Sequence, residues 1–238
     1  VPPNYLTMNI TLSNLSLILS SILLVGTAIY GQNSNRREKA WIEFERLDVR
    51  SDGEKWIVAS LQITPKEHPD EDGALNEEFI DDVKVDLYLC FKNTTKEKKI
   101  YKETRRKAEL KNILDYYHAQ VEIHTMEVSP RSKTLVFLLP LEIAKRDGFD
   151  TVTEPFGRVI DISIGGVSIQ KALLQNAKGR LSAPITFENY TDENILQSFK
   201  QEAIAKASAT DGILLPAHLV DSSYLRNSPA VKFPKPSQ

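Results

Sequence analysis

The chain has 238 residues, 30 Lys and Arg against 32 Asp and Glu, a formal net charge of −2 and a single cysteine. Balanced charge gives no electrostatic footprint for nucleic acid, which calls for a clearly basic face. One cysteine rules out a disulfide framework, so a small cross-linked secreted scaffold is excluded.

The first 35 residues contain no Lys, Arg, Asp or Glu, and residues 15–30 (LSLILSSILLVGTAIY) are almost continuously apolar. A run of this length ending in small residues suits a secretory signal peptide and is short of the roughly 20 residues of a membrane span. Residues 1–31 are therefore read as a signal peptide, cut after Ala28 or Gly31, or as a retained anchor. Retention would place Arg36, Arg37 and Lys39 on the cytoplasmic side.

Most of the remaining chain reads as strands. Ile42 and Phe44 share one phase and Leu47 and Val49 the other, which predicts a β-bulge near Glu45 and Arg46. Ile57, Ala59, Leu61 and Ile63 alternate cleanly until Pro65, as do Val83, Val85, Leu87, Leu89 and Phe91. The acidic stretch from Pro65 to Asp81 reads as a surface excursion. Residues 96–117 are ambiguous. Leu110, Ile113, Leu114 and Tyr117 have helical spacing, whereas Lys99–Lys102 suits an edge strand. Val121 and Ile123 give way to Met126 and Val128, which predicts a second bulge near His124 and Thr125. Leu135–Leu139 is apolar throughout and reads as a strand covered on both faces. Ile160, Ile162 and Ile164 form the next strand.

Asp192 caps a predicted helix whose apolar stripe is Ile195, Leu196, Phe199, Ala203 and Ala207. A tail containing Pro216, Pro229, Pro234 and Pro236 follows. The expected fold is mainly β: an immunoglobulin-like β-sandwich over residues 32–190, then a C-terminal helix and Pro-rich tail over residues 191–238.

Catalytic and cofactor motifs are absent from the sequence. His68, His118, His124 and His218 are scattered, without the i+3 or i+4 spacing of a helical metal site. The acidic run from His68 to Gly73 offers oxygen ligands but not the spacing of an EF-hand loop, and a solvated loop is the simpler reading. Gly-x-Ser-x-Gly does not occur. Cys90 reads as a buried structural thiol. An enzyme would have to gather distant groups, such as His118 with Asp82 or Glu122. Expected accordingly are no catalytic residue, no cofactor and no metal. Trp41, Trp56 and Tyr88 are the candidate interaction surface, as partner contacts or as rings that stack on sugars, although aromatic rings at strand ends more often pack.

The strand phrases at residues 41–49 (WIEFERLDV), 55–63 (KWIVASLQI), 82–91 (DVKVDLYLCF), 116–122 (YYHAQVE) and 135–140 (LVFLLP), after a leader ending AIYGQ, resemble pilus-like proteins encoded in type IV pilus-type gene clusters of Verrucomicrobia such as Akkermansia. The resemblance spans most of residues 32–200 and rests on structural phrases. It implies an immunoglobulin-like fold, export to the bacterial envelope (periplasm, outer membrane or cell surface) and a non-enzymatic role beside a pilus. It carries over no active site. A pilin cleavage motif and the acidic residue of a polymerising pilin helix are missing, which fits an accessory or adhesin-like component better than a fibre subunit. The partners it implies are other pilus or envelope proteins, with glycans as a further class. Nucleic acid is not expected, and membrane contact is expected only through the N-terminal segment.

Overall fold

A hairpin opens the fold. β1 (Ile42–Ser51) pairs antiparallel with β2 (Trp56–Pro65), and their turn is tied by Asp52, whose carboxylate accepts from the backbone N–H groups of Glu54, Lys55 and Trp56 at 2.8–2.9 Å. The register slips between Phe44 and Arg46, leaving Glu45 as the extra residue of a bulge. This is where the change of apolar phase places it. In this computed structural model, residues 41–69, 76–224 and 228–232 are described. The expectations for the leader, and most of the acidic run from His68 to Gly73, lie outside them.

β3 (Phe79–Lys92) and β4 (Leu114–Glu127) form a long antiparallel pair. Here the expected bulge takes another form. The phase changes on both strands, between Ile80 and Val83 and between Ile123 and Met126. Phe79↔Glu127 and Val83↔Ile123 therefore belong to one unbroken register. Asp82, at φ 51°, and His124 are the two residues skipped. One extra residue on each strand cancels, so the ladder turns its faces over without slipping.

β5 (Lys133–Pro140) joins β2 from the other side, and β6 (Gly157–Ile164) joins β3. With the short strands β7 (Val167–Ser168), β8 (Ile185–Phe187), β9 (Leu215–Pro216) and β10 (Ala230–Val231), two antiparallel sheets result. One has the order β1-β2-β5-β9. The other has the order β10-β4-β3-β6-β7, with β8 also on β6. The fold is mainly β, and all the long pairings are antiparallel.

The apolar phases of both sheets meet in one cluster, with Ile57, Leu61, Phe137 and Leu139 from the first and Val85, Leu87, Phe91, Tyr117 and Ile162 from the second. Phe91 stacks on Phe149 at 4.5 Å. Burying each such side chain contributes about 1.5–3 kcal/mol, against the entropy of ordering it.

The segment left ambiguous by its sequence is helical. α1 (Thr94–Thr104) starts at Asn93, whose side chain accepts from the Lys96 N–H at 2.7 Å and donates to Asp115 at 2.7 Å. None of its own residues is buried. The helical spacing of Leu110, Ile113, Leu114 and Tyr117 does not produce a helix. Leu110–Asn112 make one 3-10 turn and β4 begins at Leu114. Tyr116 and Tyr117 are both buried because they leave β4 on opposite faces, Tyr117 into the shared core and Tyr116 into a second cluster.

That second cluster covers the far face of the larger sheet. α4 (Glu193–Ala207), capped by Asp192, lays Phe199, Ala203 and Ala207 over Cys90, Tyr116 and Val159. The two short helices are α2 (Leu141–Asp147), which follows β5, and α3 (Gln170–Asn176), which lies beside β1 and β6. On the far face of the smaller sheet, Val58, Leu138 and Ala217 form a third cluster with Trp56 and Tyr224. The helix and the described residues that follow it thus belong to the same compact unit as the strands. Among the described residues no helix is long and apolar enough to cross a membrane.

Candidate functional site

Tyr88, His118 and Gln120 lie on the far face of the larger sheet, Tyr88 against the edge of the α4 cluster. Tyr88 on β3 and His118 on β4 are cross-strand partners, and their rings stack at 4.4 Å and 19°. Gln120 follows on β4. Together they floor a groove of about 510 Å³, whose walls come from Ile204, Ala207 and Ser208 around the end of α4, the exposed Asp211, and Gly212, Leu214, Leu215, Pro216 and Leu219 after it. Ile204 and Leu219 are each 47 % exposed, so the walls present apolar surface to solvent.

The floor is flanked by charge on its own face of the sheet. His118 Nε2 lies 2.9 Å from Asp86 Oδ1, and Lys84 Nζ lies 3.1 Å from Asp86 Oδ2. Burial alone would raise the Asp86 pKa, but hydrogen bonds from His118 and Lys84, with their charges, bring it below the ordinary value near 3.8. Tyr88 titrates above its ordinary value, through burial and the nearby Asp86 and Asp161 carboxylates. It therefore stays a neutral phenol and a hydrogen-bond donor.

A depressed folded-state pKa means that Asp86 stabilises the fold above the unfolded value. That contribution is lost as pH falls through the lower folded value. We expect Asp86→Asn to flatten the acid limb of a melting-temperature profile below about pH 4 while lowering stability at pH 7. A variant as acid-sensitive as the parent would refute this role.

The groove also borders an open stretch of strand edge. The Tyr116 carbonyl accepts from the Thr210 hydroxyl, and the Glu122 carbonyl accepts from the Lys232 N–H at 2.6 Å. Both carbonyls point away from β3. By the alternation of an antiparallel ladder, the main-chain groups of His118 and Gln120 point the same way. Among the described residues nothing pairs with them.

The three aromatic residues singled out from the sequence are not brought together. Trp41 precedes β1, half-buried against the shared core, and its carbonyl accepts from the Lys66 N–H at 2.7 Å. Trp56 lies at the other end of the hairpin, where it packs with Val136 and Tyr224 on the far face of the smaller sheet. Only Tyr88 lines the groove. His118 is paired with Asp86, not with Asp82 or Glu122, and Asp82 instead holds Lys232 at 2.7 Å. Among the described residues no three His, Cys, Asp or Glu side chains gather as a metal site. Cys90 is buried, and burial pushes its thiol pKa far up, so it is a poor nucleophile.

Comparison with family models, with curated proteins and with solved structures gives no match. The groove must be read from its own chemistry.

Sequence reasoning missed the walls. Ile204 stands off the apolar stripe of α4, and an apolar residue on the wet phase of a helix is the signal that would have marked it. Sequence reasoning also missed a local charge excess. Between Lys92 and Lys111 there are nine Lys and Arg against three Glu, in a chain whose total is −2. Lys98, Lys99, Lys102, Arg105, Arg106 and Lys107 are all exposed there.

Proposed function

We propose that the chain is a non-enzymatic interaction protein with an immunoglobulin-like β-sandwich, acting in a bacterial envelope as an accessory component of a type IV pilus-like system. The strand order supports the fold. β1-β2-β5 lies in one sheet and β4-β3-β6-β7 in the other, and the connections β2→β3, β4→β5 and β5→β6 pass between sheets. With the short β8, β9 and β10 set aside, three strands on four supports an immunoglobulin-like reading. The envelope and the pilus-like system rest on the apolar run at residues 15–30 and on the strand phrases given above.

The observation that carries the interaction is the groove beside β4. Its apolar walls, neutral phenol floor and open strand edge suit an extended protein segment, anchored by side chains and aligned by main-chain hydrogen bonds. A glycan reading keeps only Tyr88, since Trp41 and Trp56 are engaged in packing.

The test is photo-crosslinking in the source organism from residues 204 and 219, with residue 167 as control. Val167 is 67 % exposed on β7 and does not line the groove. Expected is a product with another pilus-system or envelope protein from 204 and 219 only, lost in a strain carrying Ser208→Trp, a change at an exposed position of the groove wall. The same products from 167, or none from the groove, would overturn the proposal.

A further inference from the structure

Arg158 is a charge on an apolar phase. It shares its side of β6 with Ile160 and Ile162, whose side chains enter the shared core, and it is itself only 6 % exposed. Its guanidinium lies 5.3 Å over the Phe44 ring beside the β1 bulge. Nη2 donates to the carbonyls of Arg180, Leu181 and Ala183 at 2.7, 2.8 and 3.1 Å, which pins the loop before β8. Its Nε is buried and has no hydrogen-bond partner. Among the described residues no carboxylate forms an ion pair with it.

A buried guanidinium without a counter-ion is costly, and an unpaired buried donor adds to that cost. Beside it the structure holds a cavity of about 70 Å³, lined by Arg158, Arg180, Glu154, Thr186 and the apolar Leu47 and Pro155. A single water needs only roughly 10–15 Å³, so the space has room for one small ligand in place of several waters. Two arginines and one glutamate leave the lining with an excess of positive charge.

We propose that this cavity binds a small oxyanion, a phosphate or carboxylate group, held by Arg158 from within and by Arg180 at the rim. The three carbonyls take up Nη2 of Arg158, which leaves its Nε–H as a single buried donor. The fork that suits the oxygen spacing of either group is the Nε–Nη2 side of Arg180, whose Nη1 donates to Asn189 at 3.0 Å. Burial, opposed by the Glu154 charge and aided by the Arg180 charge, lowers the Arg158 pKa to about 10. The residue is thus charged at neutral pH and is the buried positive end of the site. Glu154 forms no ion pair among the described residues, and its charge on the lining repels an entering anion. The site is separate from the groove, with which it shares no lining residue.

The experiment is calorimetric titration of the full chain with sodium phosphate, and in parallel with sodium acetate, at ionic strength fixed with sodium chloride. Melting temperature serves as a second readout, because a ligand of the folded state raises it. Arg158 substitutions remove the tie on the loop and risk the fold, so Arg180→Gln carries the test. Expected is saturable binding of one of the two anions, weakened at least tenfold by Arg180→Gln and tightened by Glu154→Gln. A triple Lys98→Gln, Lys99→Gln, Lys102→Gln variant should bind as the parent does. Phosphate-only binding assigns a phosphate ligand, and acetate-only binding a carboxylate. No binding beyond chloride, or binding unchanged by Arg180→Gln, would overturn the proposal.

Discussion

Replacing Phe199 with alanine is expected to cost about 3–5 kcal/mol, the range for deleting a buried aromatic ring. Phe199 is the residue through which α4 grips the sheet. Its ring stacks on Phe187 at 4.4 Å, lies 6.2 Å from Tyr116 and sits over Gly157. A Cβ on Gly157 would come within 2.5 Å of the ring, so the glycine is what permits this approach. With total stabilities of about 5–15 kcal/mol, such a loss takes a large share of the margin. It also has a local readout. Cys90 belongs to the same cluster and faces Gly157 across the β3–β6 pair. Thiol labelling should therefore be very slow in the parent and much faster in Phe199→Ala, under conditions where both are mostly folded. A shift below about 1 kcal/mol with Cys90 still protected would mean that α4 is held by other contacts.

This cluster shows how much of the architecture is legible in the residues. Period-two alternation marks β2, β3 and β6 because each buries one face against the shared core, and the continuous run of β5 marks a strand covered twice. The Glu45 bulge is visible as a change of phase. The Phe199 stripe marks α4 for the same reason, since one face is apolar and the other wet. α1 is not legible in this way. It buries none of its own residues, so no periodicity betrays it, and its only local signals are the Asn93 cap and the left-handed Arg105 that closes it. The paired irregularity at Asp82 and His124 escapes too. A phase change in one strand is visible, but whether the neighbour compensates depends on pairing that sequence does not display.

The sites follow the same division. Tyr88 and His118 are visible as aromatic and titratable groups, but their stacking depends on a register that joins positions 30 residues apart. Arg158 breaks the alternation of its strand. A charge in line with Ile160 and Ile162 conflicts with the burial those residues require, and such local conflicts mark places where something other than packing is being specified. The loop that meets Arg158 has no periodicity, so the conflict is legible and its resolution is not.

Gly148→Ala is expected to cost about 2–5 kcal/mol, combining a left-handed backbone penalty of about 1–2 kcal/mol with overpacking of about 1–3. Gly148 ends α2 at φ +77°, and its N–H donates to the Ala144 carbonyl at 2.8 Å. Its carbonyl accepts from the Thr94 hydroxyl at 2.9 Å, and an added Cβ would stand 2.2 Å from that same hydroxyl. The next residue, Phe149, is fully buried between Phe91 and Tyr117, so displacement here reaches the core. Gly53 separates the two contributions. It has nearly the same φ, +81°, and nothing within 4 Å of an added Cβ, so Gly53→Ala should cost only the backbone penalty. Thr94→Ala removes the hydroxyl with which the new methyl collides. In that background Gly148→Ala should fall to the Gly53→Ala value, giving a coupling equal to the overpacking part, about 1–3 kcal/mol, in a double-mutant cycle. Additive costs from urea denaturation midpoints would show that the Thr94 contact does not set the geometry at the end of α2.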